Sequence, residues 1–163
     1  MKELLQQLAA YNVWANQKLI NCISDLSDDQ INREMLSSFT SIYKTIRHMW
    51  FAENVWMQRL KLVEQPDLSN LDFNGTYSEM IRRYGQQSAE WADWIGNATE
   101  AQITHVFAYQ NTKREQFKQP VYEMLLHLFN HSTYHRGQLV TMLRQLGIEK
   151  IPPTDFIVFC RKK

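Results

Sequence analysis

The chain has 163 residues, 44% hydrophobic and 21% charged, which is typical of one globular domain with a sizeable core, here expected over residues 1–163. A formal net charge of +1 provides no broad positive field, which argues against a protein that binds nucleic acid or an anionic membrane. No apolar run approaches the ~20 residues of a transmembrane helix, and polar residues interrupt the opening MKELLQQLAA where a signal peptide is continuously apolar, so we expect a cytoplasmic protein.

The first half of the chain predicts two long helices. Hydrophobic residues at steps of three and four indicate an amphipathic helix over residues 2–24. Ser27 and Gln30 have the spacing of a capping box, which predicts a short turn of helix. A second long helix, apolar on nearly all sides, is expected over residues 41–63, and a linker follows over residues 66–75.

The second half predicts two further helices separated by a hairpin. A Thr-x-x-Glu capping box at residues 76–79 begins the third helix. Two apolar stretches flank a polar segment over residues 102–118, which favours a small β-hairpin or extended insertion. Pro120 suits the first turn of a fourth helix that stops at Gly147, and the closing IPPTDFIVFC is expected to fold back over the bundle. Four long helices with long crossover connections predict an all-α four-helix bundle, in which up-down-up-down order is not required.

Three histidines recur at intervals of four in the last predicted helix, at His127, His131 and His135. His127 and His135 are separated by about 12 Å along the helix axis. Metal ions such as zinc hold imidazole nitrogens at about 2.0–2.1 Å, so these two rings cannot share one ion. Any shared metal site must therefore include His131, with either His127 or His135 as its partner.

The apolar face of the helix favours His135 as that partner. His135 lies in the apolar seam, and His131 and His127 lie about 60° and about 100° from the direction of Leu128. Two inward imidazoles that lack partners would cost ~1–3 kcal/mol each, and a metal ion would satisfy both. We predict His131 and His135 as ligands, with His48 of the second helix as the third and His127 at the rim, contacting a ligand histidine rather than the ion.

Other candidates are interpreted as structural. A lone inward histidine is usually a hydrogen-bonded core residue, and His105 in the predicted hairpin is interpreted as structural or solvent-facing. Glu53 lies on a different helix face from His48, so ligation by its carboxylate is not expected. Tyr134 and Gln138 project beside His131 but fit a polar rim, and no catalytic residue is identified. No G-x-S-x-G, Walker or Rossmann glycine pattern occurs, so no nucleotide cofactor is predicted.

Three segments resemble the DinB family, the DinB/YfiT-like metalloprotein superfamily of bacterial four-helix bundles. They are RHMWFAENVWMQRL around His48, HLFNHSTYHRGQ around His131 and His135, and the closing PPTDFIVF. The resemblance covers nearly the whole chain, and H-x-x-x-H-R-G-Q is its most specific element. It implies that His48, His131 and His135 hold a divalent metal ion, the same set that the helical geometry favours.

The resemblance also implies an activity. Characterised members include transferases and isomerases that use low-molecular-weight thiols such as bacillithiol, mycothiol or glutathione. We therefore predict a metal-dependent thiol S-transferase or related detoxification or stress enzyme that acts on a small molecule. A metal-dependent hydrolase that uses metal-bound water and a non-catalytic, stress-induced metal-binding bundle are the alternatives. All-imidazole ligation suits zinc, nickel or iron, and also cobalt or copper.

The resemblance further implies a homodimer, because many members of the family form dimers. Gly137 lies opposite the apolar seam, where a close approach from a loop or a second subunit would explain it. Tyr122, Phe129 and Val140 also lie away from the main seam. We therefore expect a homodimer built on helices.

Overall fold

The computed structural model describes residues 1–63, 66–111 and 113–161. The helices are α1 (Lys2–Ile23), α2 (Asp28–Asn32), α3 (Ile42–Leu60), α4 (Tyr77–Asn97), α5 (Glu100–Thr104), α6 (Val121–Gln145) and α7 (Phe156–Cys160), with strands β1 (Val106–Gln110) and β2 (Gln116–Pro120). A short 3₁₀ helix, Ser69–Asp72, interrupts the linker between α3 and α4. None of the described helices combines the length and hydrophobicity that crossing a membrane requires.

The four long helices α1, α3, α4 and α6 form a bundle with two diagonal pairs. Both α1 and α3 pack against α4 and against α6. Therefore α1 lies diagonally opposite α3, and α4 lies diagonally opposite α6. The chain crosses the bundle between α1 and α3 and again between α4 and α6, whereas the link between α3 and α4 joins neighbours. The predicted four-helix bundle with long crossover connections is confirmed.

Side-chain caps begin the helices where the sequence predicts them. Ser27 and Gln30 form both halves of a capping box at the start of α2. Ser41 caps α3 by accepting a hydrogen bond from a backbone N–H of its first turn. Thr76 caps α4 by accepting from the backbone N–H of Glu79. These local bonds fix the phase of α3 and hence the direction in which its inward residues point.

The segment between α4 and α6 differs from the prediction at its start. The hairpin predicted over residues 102–118 lies over residues 106–120, because residues 100–104 form α5 instead. Thr99 and Gln102 make a capping box that the sequence analysis missed. The apolar stretch ITHVFAY runs from helix into strand without a Gly or Pro, so hydrophobicity alone did not mark the boundary.

The hairpin and the carboxy-terminal segment both pack onto the bundle. In the antiparallel hairpin, Val106 lies opposite Pro120, which leads directly into α6. The segment after α6 folds back as predicted, and α7 contacts α1. Its Phe156 and Phe159 rings lie 5.2 Å and 6.0 Å from the ring of Tyr11, measured between centroids. This contact fixes the end of the chain against the middle of α1.

The core consists of two apolar clusters separated along the helices by a polar layer. One cluster includes Trp91 and Leu125, and the other includes Trp50 and Leu139. The buried polar residues between them come from all four long helices. They are Asn12, Asn16, Glu53, Gln87, Ser88, Ser132, His135 and Arg136. Buried polar atoms require partners, so this layer is where chemistry can be expected.

The residues proposed for a dimer surface are largely used within the chain. Phe129 is only 4% exposed and belongs to the core, which corrects its placement away from the packed face. Tyr122 and Val140 are half-buried and pack against the core clusters. A Cβ added to Gly137 would meet no atom of the described chain within 4 Å, so the close approach is not made within it. The homodimer stays a prediction.

Candidate metal centre

Three imidazoles from two helices converge at one point on the bundle. His48 comes from α3, and His131 and His135 come from successive turns of α6. The Nε2 atom of His131 lies 3.0 Å from Nε2 of His48 and 3.1 Å from Nε2 of His135. Tetrahedral ligands at about 2.0–2.1 Å from an ion lie about 3.3 Å apart. The ligand atoms of the three rings all lie within 4.8 Å of one another, so shifts of the rings would accommodate an ion. Within the described chain, this is the only group of three or more His, Cys, Asp or Glu side chains that could hold a metal.

Gln138 orients one of these imidazoles. Its Oε1 atom lies 2.7 Å from Nδ1 of His135. Because an amide oxygen only accepts, Nδ1 carries the hydrogen and Nε2 of His135 presents a lone pair to the cluster. The Gln138 amide nitrogen donates to Oγ of Ser38 at 2.8 Å, and Ser38 lies 3.4 Å from the hydroxyl of Tyr134. Gln138, interpreted from the sequence as a rim residue, therefore positions a site histidine.

Phe39 covers the cluster from the loop between α2 and α3. Its ring stacks on the ring of His48 with a centroid distance of 4.2 Å and lies 5.6 Å from the ring of His135. The sequence analysis did not identify Phe39. A loop residue takes part in no helical or strand periodicity, so no sequence signal connected it to the histidines. Its contact shields one side of the cluster from water.

The environment keeps the three imidazoles neutral. Burial, followed by the charge repulsion of neighbouring imidazoles, His135 first, lowers the pKa of His48 and of His131 to about 4. Burial also lowers the pKa of His135, although its hydrogen bond with Gln138 opposes that shift. Only the neutral imidazole offers a lone pair to a metal ion. All three rings are therefore in the form that binds a metal at neutral pH.

The remaining histidines lie outside the cluster. His127 is exposed at the rim, with its ring 5.8 Å from the ring of His131 and 5.7 Å from the ring of Trp56. The helical spacing thus selected the pair that converges. His105 is exposed at the end of α5, where its backbone carbonyl accepts a hydrogen bond from Val121 at 3.0 Å, in keeping with a structural position.

A second buried polar cluster lies on the same helices. Glu53 is fully buried, and its carboxylate oxygens accept hydrogen bonds from Asn12 at 3.1 Å and from Ser88 at 2.8 Å. Arg136 donates to the side-chain oxygens of Asn12 at 2.6 Å and Asn16 at 2.9 Å. All four long helices contribute to this network, which therefore connects the bundle at its centre.

The network gives a structural role to Glu53 and Arg136, two residues near the histidines in sequence for which the sequence alone indicated none. Glu53 faces the core and takes no part in the histidine cluster, as expected. Burial raises the pKa of Glu53 to about 7, while hydrogen bonds from Ser88 and Asn12 and the charge of Arg136 oppose that rise. Arg136 was missed. The signal that could have found it is the pair Asn12 and Asn16, two amides one turn apart within an otherwise apolar helix face.

The chain is similar to known proteins in both sequence and fold. The sequence model of the DinB family matches residues 1–161. Protein DinB of Bacillus subtilis (strain 168) is 30% identical over 165 aligned positions, which cover 96% of this chain and 93% of that protein. A DinB-like protein from Bacillus cereus ATCC 10987 has a TM-score of 0.72 at 18% identity, over 93% of this chain and 95% of that one. YfiT from Bacillus subtilis, described as a probable metal-dependent hydrolase with an unusual four-helix bundle topology, has a TM-score of 0.71 at 16% identity over 90% of each chain.

Proposed function

The chain belongs to the DinB family, and we propose that it is a metal-dependent enzyme in which His48, His131 and His135 hold a divalent metal ion. The convergence of the three Nε2 atoms supports this proposal most directly. Nε2 of His135 carries a lone pair and no hydrogen. A hydrogen on Nε2 of His131 can therefore bond to only one of its two neighbours, Nε2 of His48 or Nε2 of His135. A cation would accept a lone pair from each ring at once.

A divalent ion on three imidazoles keeps a coordination position open and lowers the pKa of a water or thiol bound there. The protein side chains prepare the site in separate ways. Gln138 fixes the tautomer of His135, and Phe39 shields His48 from water. Burial keeps the imidazoles neutral, so a metal does not have to displace protons from them near neutral pH.

Within this class, the proposed activity is thiol S-transfer or a related detoxification or stress reaction. A low-molecular-weight thiol would be the co-substrate, and a metal ion held by His48, His131 and His135 would favour its thiolate, which is the nucleophilic form. The support is the resemblance of the histidine segments to thiol-using members of the family. The all-imidazole donor set suits zinc, nickel or iron.

Hydrolysis is the second candidate. YfiT, which shares the fold, is described as a probable metal-dependent hydrolase, and the same three donors can activate water. The two candidates differ in whether turnover requires a thiol. A non-catalytic metal-binding bundle differs from both, because it would bind metal without turnover.

The test is the rate of conjugation or hydrolysis as a function of pH for the metal-loaded protein, with and without bacillithiol or glutathione. A transferase should conjugate an electrophile at pH values where the free thiol is mostly protonated, and His131→Ala should lose this advantage while His127→Ala keeps it. Thiol-independent turnover that disappears in His131→Ala would replace the transferase with the hydrolase. Metal binding with no turnover in either assay would leave the non-catalytic bundle.

A further inference from the structure

A cavity of about 560 Å³, which none of the three histidines lines, lies between α3, the hairpin and four residues that follow α3, namely Leu62, Val63, Pro66 and Leu68. We propose that this cavity binds a small organic carboxylate with an apolar body, and that Arg59 holds its carboxylate group. The volume is within the range of typical small-molecule sites. The lining residues that carry the argument are Val55, Arg59, Leu62, Leu68, Tyr109 and Arg114.

Two aromatic rings hold the guanidinium of Arg59. Its central carbon lies 4.6 Å from the ring centroid of Trp56 and 5.4 Å from that of Tyr109. Such stacking fixes the plane of the guanidinium and leaves the N–H groups at its edge free to point outward. Within the described part of the chain, these N–H groups reach no hydrogen-bond acceptor and no carboxylate at ion-pair distance. Arg59 is therefore a half-buried, oriented cation whose donors are available to a ligand.

Arg83 shows that stacking does not by itself leave an arginine available. Its guanidinium lies 5.3 Å from the ring centroid of Phe73, a geometry similar to that of Arg59. Unlike Arg59, it forms an ion pair with Glu79 one helical turn away. Arg83 is thus paired with an anionic side chain of the protein, whereas Arg59 has no such partner among the described residues.

The charges around the cavity favour an anionic ligand. Arg114 is a second cation in its lining, and the described lining residues include no Asp or Glu. Two described acidic groups that are near the lining in sequence, Asp67 and Glu115, are engaged elsewhere. Asp67 accepts hydrogen bonds from the backbone and hydroxyl of Ser69, and Glu115 accepts one from the Asn111 side chain at 2.6 Å.

The walls favour a ligand that is also partly apolar. Leu62 and Leu68 are 70% and 48% exposed, although large aliphatic side chains are usually buried. A hydrocarbon or aromatic group in the cavity would cover them. The planar fork of Arg59 matches a carboxylate, which it can bind through two parallel hydrogen bonds. The lining therefore fits both the carboxylate group and the apolar body of the proposed ligand.

The purified protein can be titrated with phenylbutyrate and with the neutral phenylbutanol, monitored by methyl NMR of Val55, Leu62 and Leu68. Phenylbutyrate should shift these methyl signals and bind about tenfold more tightly than phenylbutanol, because only the acid makes charge-assisted hydrogen bonds. Arg59→Gln should remove this preference, and Arg59→Lys should retain only part of it. Arg83→Gln is the matched control and should keep it.

Equal binding of the acid and the alcohol by the wild-type protein would overturn the proposal, as would the absence of methyl shifts at millimolar phenylbutyrate. Equal loss of preference in Arg59→Gln and Arg83→Gln would also overturn it, because the effect would then follow overall charge. If Arg59→Gln does not fold, the wild-type comparison and Arg59→Lys still decide. None of the three histidines lines the cavity, so this result is independent of the proposed enzymatic function.

Discussion

The histidine cluster and the Glu53–Arg136 network are two buried polar groups on the same helices, and they differ in how their polar atoms are satisfied. Both carboxylate oxygens of Glu53 and both terminal nitrogens of Arg136 bond to protein atoms, while Nε of Arg136 is buried without a hydrogen-bond partner among the described residues. The Nε2 atoms of His48, His131 and His135 instead point at one another. A network whose polar groups bond largely to one another stabilises the bundle, whereas a convergent set of lone pairs is completed by a ligand.

The largest expected effect is the loss of metal from the histidine cluster. His48→Ala, His131→Ala and His135→Ala should each weaken metal binding by more than about 100-fold, because removing even a residue that only supports a ligand costs 10–100-fold. His127→Ala should retain most of the metal, since its ring lies outside the group of three. Metal content of the purified variants, measured by elemental analysis, checks this prediction.

Two outcomes would contradict the roles given to the histidine cluster and to the Glu53–Arg136 network. If His127→Ala emptied the site and His135→Ala did not, the convergence of the three rings would not reflect metal binding. If Glu53→Gln removed the metal as effectively as His131→Ala, the two clusters would form one functional unit.

The second prediction concerns the Glu53–Arg136 network. Arg136→Ala should lower the free energy of unfolding by about 2–6 kcal/mol, because it leaves the buried side-chain oxygens of Asn12 and Asn16 without their donor, at about 1–3 kcal/mol each. Urea denaturation gives this value. Glu53→Gln is the milder control, since it keeps the shape and one carbonyl acceptor. Folded Arg136→Ala protein should still bind metal, and a loss of metal with unchanged stability would contradict the separation of the two clusters.

The third prediction concerns the link between Gln138 and His135. Gln138→Ala should weaken metal binding by about 10–100-fold, because Nδ1 of His135 loses the acceptor that fixes its tautomer. Ser38→Ala is the matched control: it removes a partner of Gln138 but leaves the bond to His135, so its effect should be smaller. Equal effects of the two substitutions would mean that the loop, rather than the tautomer, controls affinity.

The sequence predicted which histidines lie close together because helical spacing carries that information. Residues four apart on α6 share a face, and about 12 Å of axial rise separates the outer two, so any shared site had to include His131. The apolar seam of the helix then favoured His135 over His127 as its partner. The bond from His135 to Gln138 was missed because it depends on rotamers, and Phe39 was missed because its loop has no periodicity. The role of Arg136 was missed because predicting it requires knowing that the amides of Asn12 and Asn16 face the same buried layer.

The sequence predicted a four-helix bundle but not which of its helices pack against each other. Amphipathic periodicity shows which face of a helix is buried, but it does not show which helix covers that face. The diagonal placement of α1 and α3 therefore became visible only in three dimensions. It matters for the site, because it brings Asn12 of α1 and Glu53 of α3 together at the centre of the bundle.

The two clusters should also respond to acid with opposite sign in the metal-free protein. The pKa of His48 and His131 is about 4 in the folded chain against an ordinary value of 6.5, so the unfolded chain binds more protons between these values. Their contribution to stability is therefore lost as the pH falls through that range. The pKa of Glu53 is about 7 against an ordinary 4.5, so the folded chain binds more protons there, and acid stabilises it through this group.

In acid, His48 and His131 lower the stability of the folded chain and Glu53 raises it, so the net loss of stability is modest. It is the smallest of the expected effects. The metal-free wild-type protein should become less stable from about pH 7 to about pH 5. Glu53→Gln removes the opposing contribution and should steepen this loss, whereas His131→Ala removes part of its cause and should make it shallower. Urea midpoints at the two pH values measure the slopes. If Glu53→Gln had a shallower slope than the wild type, the Glu53 carboxyl would be charged throughout this range in the folded chain, and the network would be a buried ion pair with Arg136.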